Sequence, residues 1–133
     1  MGIDLRREKD GISISVFTWA RAYALAIEGG WEPRGTLPPK HLPEAEKKAW
    51  PGAYDSNDCQ IITDEDARAM ADALEKMLAS LGPPVVGSEA QPDGGVSLWG
   101  GYDQPQDYFN PENKRRVLKA LINFLRGGAC EIW

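Results

Sequence analysis

The 133-residue chain has two cysteines and one histidine, and that scarcity closes several routes at once. Two cysteines without a secretory signal make no disulfide framework, so Cys59 and Cys130 are expected as reduced thiols. A lone His41 cannot supply the paired-histidine spacing of a zinc protease, and the chain also lacks a Gly-x-Ser-x-Gly elbow and a phosphate-cradling glycine loop. Positive charge is in deficit. Fifteen Lys and Arg against twenty Asp and Glu leave a net −5, which repels a phosphate backbone and sets nucleic acid aside. No apolar run reaches the roughly 20 residues of a membrane span. The longest, Ile12 to Ile27, is interrupted by Ser13, Ser15, Thr18 and Arg21. Met1 to Gly11 is densely charged rather than signal-like, and Arg6 stands where N-myristoylation needs Ser or Thr. A cytoplasmic location with no membrane contact is the resulting expectation. Fixed-period repeats and interdomain linkers are likewise missing, so residues 1–133 read as one domain.

What is present is ordinary globular material. The chain is 42% hydrophobic and 26% charged, which places it well outside the disordered regime. Three segments carry helical periodicity. The first runs from about Ser15 to Glu28, with Val16, Phe17, Ala20, Tyr23, Ala24 and Ile27 as the expected buried stripe, Ser13 or Ser15 as cap, and Gly29-Gly30 as stop. The second opens on Thr63 as N-cap, with Asp64, Glu65 and Asp66 on the positive end of the helix dipole. Its expected buried face is Ala67, Met70, Ala71, Leu74, Met77, Leu78 and Leu81, before Gly82-Pro83-Pro84 ends it. The third is expected to start at Asn110 as N-cap with Pro111 at the first helical position, to bury Val117, Leu118, Leu121, Ile122 and Leu125, and to stop at Gly127-Gly128.

These elements predict a mainly α protein with minor β (α+β): three amphipathic helices around one core, long irregular loops and a short strand at the C-terminus. Ala129 to Trp133 reads as that strand or as an extended tail laid back on the core, with Ile3 to Leu5 as a candidate partner. Nine of the ten prolines fall within 31–60 and 82–109, which marks those segments as irregular, with Gln60 to Ile62 and Val96 to Trp99 as strands hidden in them.

The most suggestive local run is Asp55 to Asp66. Asp55, Asn57, Ile62 and Asp66 fall at positions one, three, eight and twelve of a calcium loop. Against that reading, Gln60 replaces the turn glycine, Cys59 stands where an oxygen ligand belongs, and Pro51-Gly52 denies a preceding helix. A Ser56-Asn57-Asp58 turn followed by a strand and a capped helix accounts for the same residues. A nucleophilic pair of Cys59 with His41 has nothing to fix its proximity. The third helix carries five cations and one anion; a solvated face is the default reading, with contact to the acidic second helix, or a phosphate-bearing ligand or anionic partner, as the others. Aromatics collect in the loops: Trp31, Trp50, Tyr54, Trp99, Tyr102, Tyr108 and Phe109. They pin the loops to the helices or form a recognition surface, of which Trp99-Gly100-Gly101-Tyr102 is the leading stretch.

Gly30-Trp31-Glu32-Pro33, Gly35-Thr36, Tyr54, Ser56-Asn57-Asp58, Gln60, Thr63, Asp66-Ala67, Phe124-Leu125-Arg126-Gly127-Gly128 and Ile132-Trp133 together form a pattern. In these residues the chain resembles an uncharacterised family of small bacterial proteins. The likeness runs from the first helix to the last residue and leaves out 83–107. It implies a bacterial, cytoplasmic protein and supplies no activity, cofactor or catalytic residue. The family pattern has glycine at the position of Cys59, which argues against that thiol as a nucleophile.

The functional expectation is therefore a non-catalytic binding or protein-interaction protein, regulatory or immunity-type, that takes another protein as partner and uses no cofactor or metal. Its binding residues are expected among Trp31, Tyr54, Asp55, Asn57, Asp58, Trp99 and Tyr102. The rival expectation is a small metal-assisted or acid–base enzyme built on the acidic turn from Asp55 to Asp58.

Overall fold

Alternation of side chains along a strand explains the first element of the computed structural model, which describes residues 2–81 and 108–133. In β1 (Gly2–Arg6), Ile3 and Leu5 face the core while Gly2 and Arg6 face out. β2 (Gly11–Ser15) folds back antiparallel, pairing Ile14 with Ile3 and Ile12 with Leu5. On the other side of β1 lies β4 (Cys130–Ile132), with Leu5 opposite Ile132. β3 (Gln60–Ile62) pairs with β4 and closes the order β2-β1-β4-β3, antiparallel throughout. The pairing of Ile3–Leu5 with the C-terminal strand and the strand at Gln60–Ile62 match expectation. β2 is an addition to the expected strands, with Ile12 and Ile14 alternating with serines, and the helix that follows starts where expected, at Val16 with Ser15 as cap. Val96 to Trp99, Trp99 and Tyr102 lie outside the described residues.

Three long helices, α1 (Val16–Glu28), α3 (Asp64–Ser80) and α4 (Glu112–Arg126), pack around one core, with α3 against both α1 and α4. A fourth and short one, α2 (Glu44–Lys48), lies inside the segment expected to be irregular. The fold is thus α+β. No helix among the described residues is long and apolar enough to cross a membrane.

Helix ends follow local chemistry. Ser15 Oγ accepts from the Thr18 amide at 3.0 Å, and Thr63 Oγ1 accepts from the Asp66 amide at 3.3 Å. At the end of α1, the Trp31 amide reaches Ala26 O at 2.9 Å and the Gly30 amide reaches Ile27 O at 3.0 Å, a Schellman closure that needs the left-handed Gly30 (φ 101°). This turn throws Trp31 back onto the core. α4 corrects its expected start, since Pro111 itself is the extended N-cap, without a side-chain cap, and Asn110 lies outside the helix.

α1 also corrects its expected face. Phe17 and Ile27 are 61% and 44% exposed, whereas Trp19, Ala22, Leu25 and Ala26 are buried, together with the polar Thr18 and Arg21. The inversion has a partner-side cause. Thr18 Oγ1 hydrogen-bonds the Tyr108 hydroxyl at 2.8 Å, and the Arg21 guanidinium lies 4.9 Å from the Tyr108 ring centre. Polar atoms satisfied in this way can be buried at little cost.

The α3 and α4 faces match expectation. Arg126 joins them, contacting Asp72 at 3.0 Å and also Glu75, so the basic helix does meet the acidic one. Arg7 closes the far end of α4. Its guanidinium donates to the carbonyls of Phe124 and Gly128 (3.2 Å for the latter) and lies 3.9 Å from the Phe124 ring centre.

Candidate functional site

Asp66 organises the region. It is the third residue of α3 and has no accessible surface, yet three donors converge on it: Trp31 Nε1 at 3.0 Å, the Arg34 amide at 3.4 Å and the Tyr54 hydroxyl. A buried carboxylate survives by collecting hydrogen bonds, and the helix N-terminus behind it adds favourable dipole. The Tyr54 oxygen in turn accepts from the Gly35 amide at 2.9 Å. Burial and the bond to Asp66 push the Tyr54 hydroxyl pKa upward, so it stays protonated well above neutrality.

Around this anchor the aromatic rings pack as a triplet. Tyr23, Trp31 and Tyr54 have centroids 5.3 to 5.4 Å apart, with both Trp31 contacts edge to face at 84°. Trp19 Nε1 donates to Tyr54 O at 2.7 Å and ties α1 to the same segment. Thr36 joins the two loop strands: its hydroxyl donates to Ala53 O at 2.6 Å and accepts from Trp50 Nε1 at 3.1 Å. Gly35 and Gly52, both at positive φ, let those backbones touch; a Cβ on Gly52 would stand 3.0 Å from Gly35 Cα.

The outcome is an open cleft of about 600 Å³ between α1 and the segments 33–35 and 51–55. Tyr23 contributes aromatic surface, with the buried Trp19 and Tyr54 rings beneath it; Val16 and Ala20 form the α1 wall, and among the described residues Arg34 and Asp55 are the ionisable groups besides the two tyrosines. The α1 wall comes from the very stripe that the periodicity assigned to the core. Ligand sites of this size with mostly apolar linings and a few polar groups are typical of small-molecule clefts.

The expected site residues scatter. Tyr54 and Asp55 line the cleft, while Trp31 is buried behind Tyr54. Asn57 and Asp58 are exposed on the following turn, and Asp58 borders a separate hollow with His41 and Trp50. That turn is held by Gln60, whose Oε1 accepts from the Asp58 amide at 2.9 Å and whose Nε2 donates to Ser56 O at 2.7 Å and Ala53 O at 3.2 Å. Asp66, the twelfth position of the calcium pattern, faces the aromatic rings instead of the turn. Among the described residues no three His, Cys, Asp or Glu side chains converge as metal ligands.

Sequence reasoning placed Asp66 in the calcium pattern and on the helix dipole but not under the aromatic rings, took Tyr23 for core, and did not single out Trp19 or Arg34. Between His41 and Cys59 no hydrogen bond forms. Cys130 is buried, which pushes its thiol up to about 12 and leaves it unreactive at neutral pH. Compared with known protein families, curated proteins and solved structures, the chain finds no match.

Proposed function

We propose that the chain is a non-catalytic binding protein whose recognition site is the cleft between α1 and the 33–35 and 51–55 segments. The observation that carries this reading is the division of labour around Tyr54: its polar atoms are consumed by Asp66 and Gly35 behind the cleft, while its ring faces the Tyr23 side of the cleft. A wall held this rigidly is preorganised, which lowers the ordering cost of binding. Among the described residues the lining holds no Ser, Cys, His or Lys to serve as nucleophile or base. The acid–base alternative retains Asp55 on the cleft, but Asn57 and Asp58 stand outside it.

A specific observation also supports a protein partner. Phe17 and Ile27 are exposed apolar side chains on the helix that forms the cleft wall.

Amide chemical shifts of the labelled protein against a panel of small aromatic fragments test the cleft. Binding fragments should move the resonances of Ala20, Gly35, Gly52 and Ala53, and Ala20→Trp, which fills an exposed position on the wall, should abolish the response. Fragments that bind equally well to the filled variant would locate recognition elsewhere. Phe17→Asp separates the protein-partner reading, because it should leave fragment binding intact and weaken any protein complex.

A further inference from the structure

The solvent side of α1 is apolar along nearly its whole length. Phe17, Ala20 and Ile27 are exposed there and Ala24 is half-buried, with Phe17 at 61% and Ile27 at 44%. At about 100° per residue these four fall within an arc of roughly 80°, one continuous stripe along the helix. The helix carries two charges. Arg21 is buried, which leaves Glu28, exposed at the C-terminal end, as the charge on the solvent side.

The stripe runs large, small, small, large, and it reads the same in both directions about position 22. Phe17 and Ile27 lie equally far from that centre, as do Ala20 and Ala24. An isologous contact, in which each residue of a pair meets the other across a two-fold axis, requires this symmetry. An antiparallel pair of α1 helices centred there sets Phe17 beside the partner's Ile27 at each end. In the middle Ala20 meets the partner's Ala24, and the small side chains let the two helix axes approach closely.

Charge agrees with the same orientation. Glu28 sits at the negative end of its own helix dipole, and α1 has no acidic residue in its first turn. Antiparallel pairing brings each Glu28 level with the partner's Val16, at the positive end of that helix, whereas parallel pairing would set the two carboxylates side by side.

We infer that this face of α1 is an interface with a second copy of the chain, formed by antiparallel packing of the two α1 helices. The inference rests on the protein-partner reading of Phe17 and Ile27 and is independent of what the cleft binds. Ala20 also lines the cleft, but Phe17 and Ile27 do not, so these two positions report on pairing alone. One helix pair is smaller than a standard interface, which takes about 800 Å² from each partner, so the dimer is weak and concentration-dependent.

Sedimentation velocity over about a hundredfold range of concentration tests it on the wild type, Phe17→Asp and Ile27→Lys. The wild type should pass from monomer to dimer. Each variant should dimerise at least about tenfold more weakly, because each loses both apolar end contacts. In an equimolar mixture of the two variants, one end keeps Phe17 against Ile27 and the other pairs the two introduced charges of opposite sign, so the mixture should regain dimer that neither variant forms alone. A mixture that does not recover, or a dimer indifferent to either change, would overturn this pairing. A wild type that stays monomeric overturns self-association and leaves the face to a different protein. If Phe17→Asp also lowers the melting temperature of that monomer, the face is packed within the chain and the partner reading falls with it.

Discussion

Tyr54 and Asp66 are twelve residues apart and share a hydrogen bond in a fully buried setting, with Trp31 Nε1 donating to the same carboxylate at 3.0 Å. The bond links the wall of the cleft to the first turn of α3, so cleft geometry and fold stability are coupled through one acidic side chain. Asp66→Ala should leave the Trp31 and Tyr54 donors unsatisfied and cost about 3 kcal/mol, whereas Tyr54→Phe removes one donor and should cost about 1–2 kcal/mol. Urea unfolding of the two variants checks the order. Equal costs, or a negligible one for Asp66→Ala, would show that water replaces the network.

Legibility varied with how one-sided each segment is. α3 and α4 alternate apolar and charged residues at helical spacing, so only one face can be buried and the expected faces are the observed ones. α1 offers no such contrast. Apolar side chains surround it, and its few polar residues include Thr18 and Arg21, which turn inward to Tyr108. Periodicity cannot rank faces when hydrophobicity is spread round the axis, and the choice is made by a residue ninety positions away. For the same reason the cleft was half legible. Tyr54 and Asp55 were singled out, but the α1 wall was taken for core, and Asp66 had a sufficient local explanation that hid its tertiary one.

Arg7 and Gly127 form a second coupled pair. The Arg7 guanidinium caps the last carbonyls of α4, and a Cβ on Gly127 would stand 2.5 Å from Arg7 Nη1. Arg7→Ala should cost about 1–2 kcal/mol through loss of the charged cap and of its stacking on Phe124. Gly127→Ala should also destabilise, by displacing Arg7, because the backbone at Gly127 itself is ordinary αR. In the Arg7→Ala background the clash is gone, and Gly127→Ala should become neutral or stabilising. A double-mutant cycle measures this sign change; additive costs would mean that Arg7 simply moves aside.

Cys130 predicts an alkaline limb in stability. Its folded pKa is raised by burial from 9.0 to about 12, so the unfolded chain gives up this proton first as pH rises. Fewer protons on the unfolded state mean stability that is complete below pH 9.0 and falls between 9.0 and about 12. The slope attributable to this one thiol is at most about 1.4 kcal/mol per pH unit. Comparing wild type with Cys130→Ala across that range isolates it from Tyr54, whose raised pKa acts in the same direction above about pH 10. The alanine variant should start less stable and lose less per pH unit; parallel curves would show that burial does not raise the thiol's pKa in the folded chain.

Cys59 adopts φ 72°, the one left-handed non-glycine among the described residues, and its amide donates to Ile132 O at 2.8 Å as the chain enters β3. The turn before the sheet thus demands a backbone that glycine adopts freely and a side-chain-bearing residue adopts at a cost of about 1–2 kcal/mol. Glycine's greater freedom in the unfolded chain returns part of that gain, by roughly 0.5–1 kcal/mol. Cys59→Gly should therefore stabilise by about 0.5–1 kcal/mol, raising the melting temperature by roughly 2–4 °C. Cys59→Val should destabilise, since a β-branched side chain is worse still in this conformation. If Cys59→Gly instead lowered the melting temperature, contacts of the half-buried thiol would outweigh the strain, and the residue would be held there for its side chain rather than in spite of it.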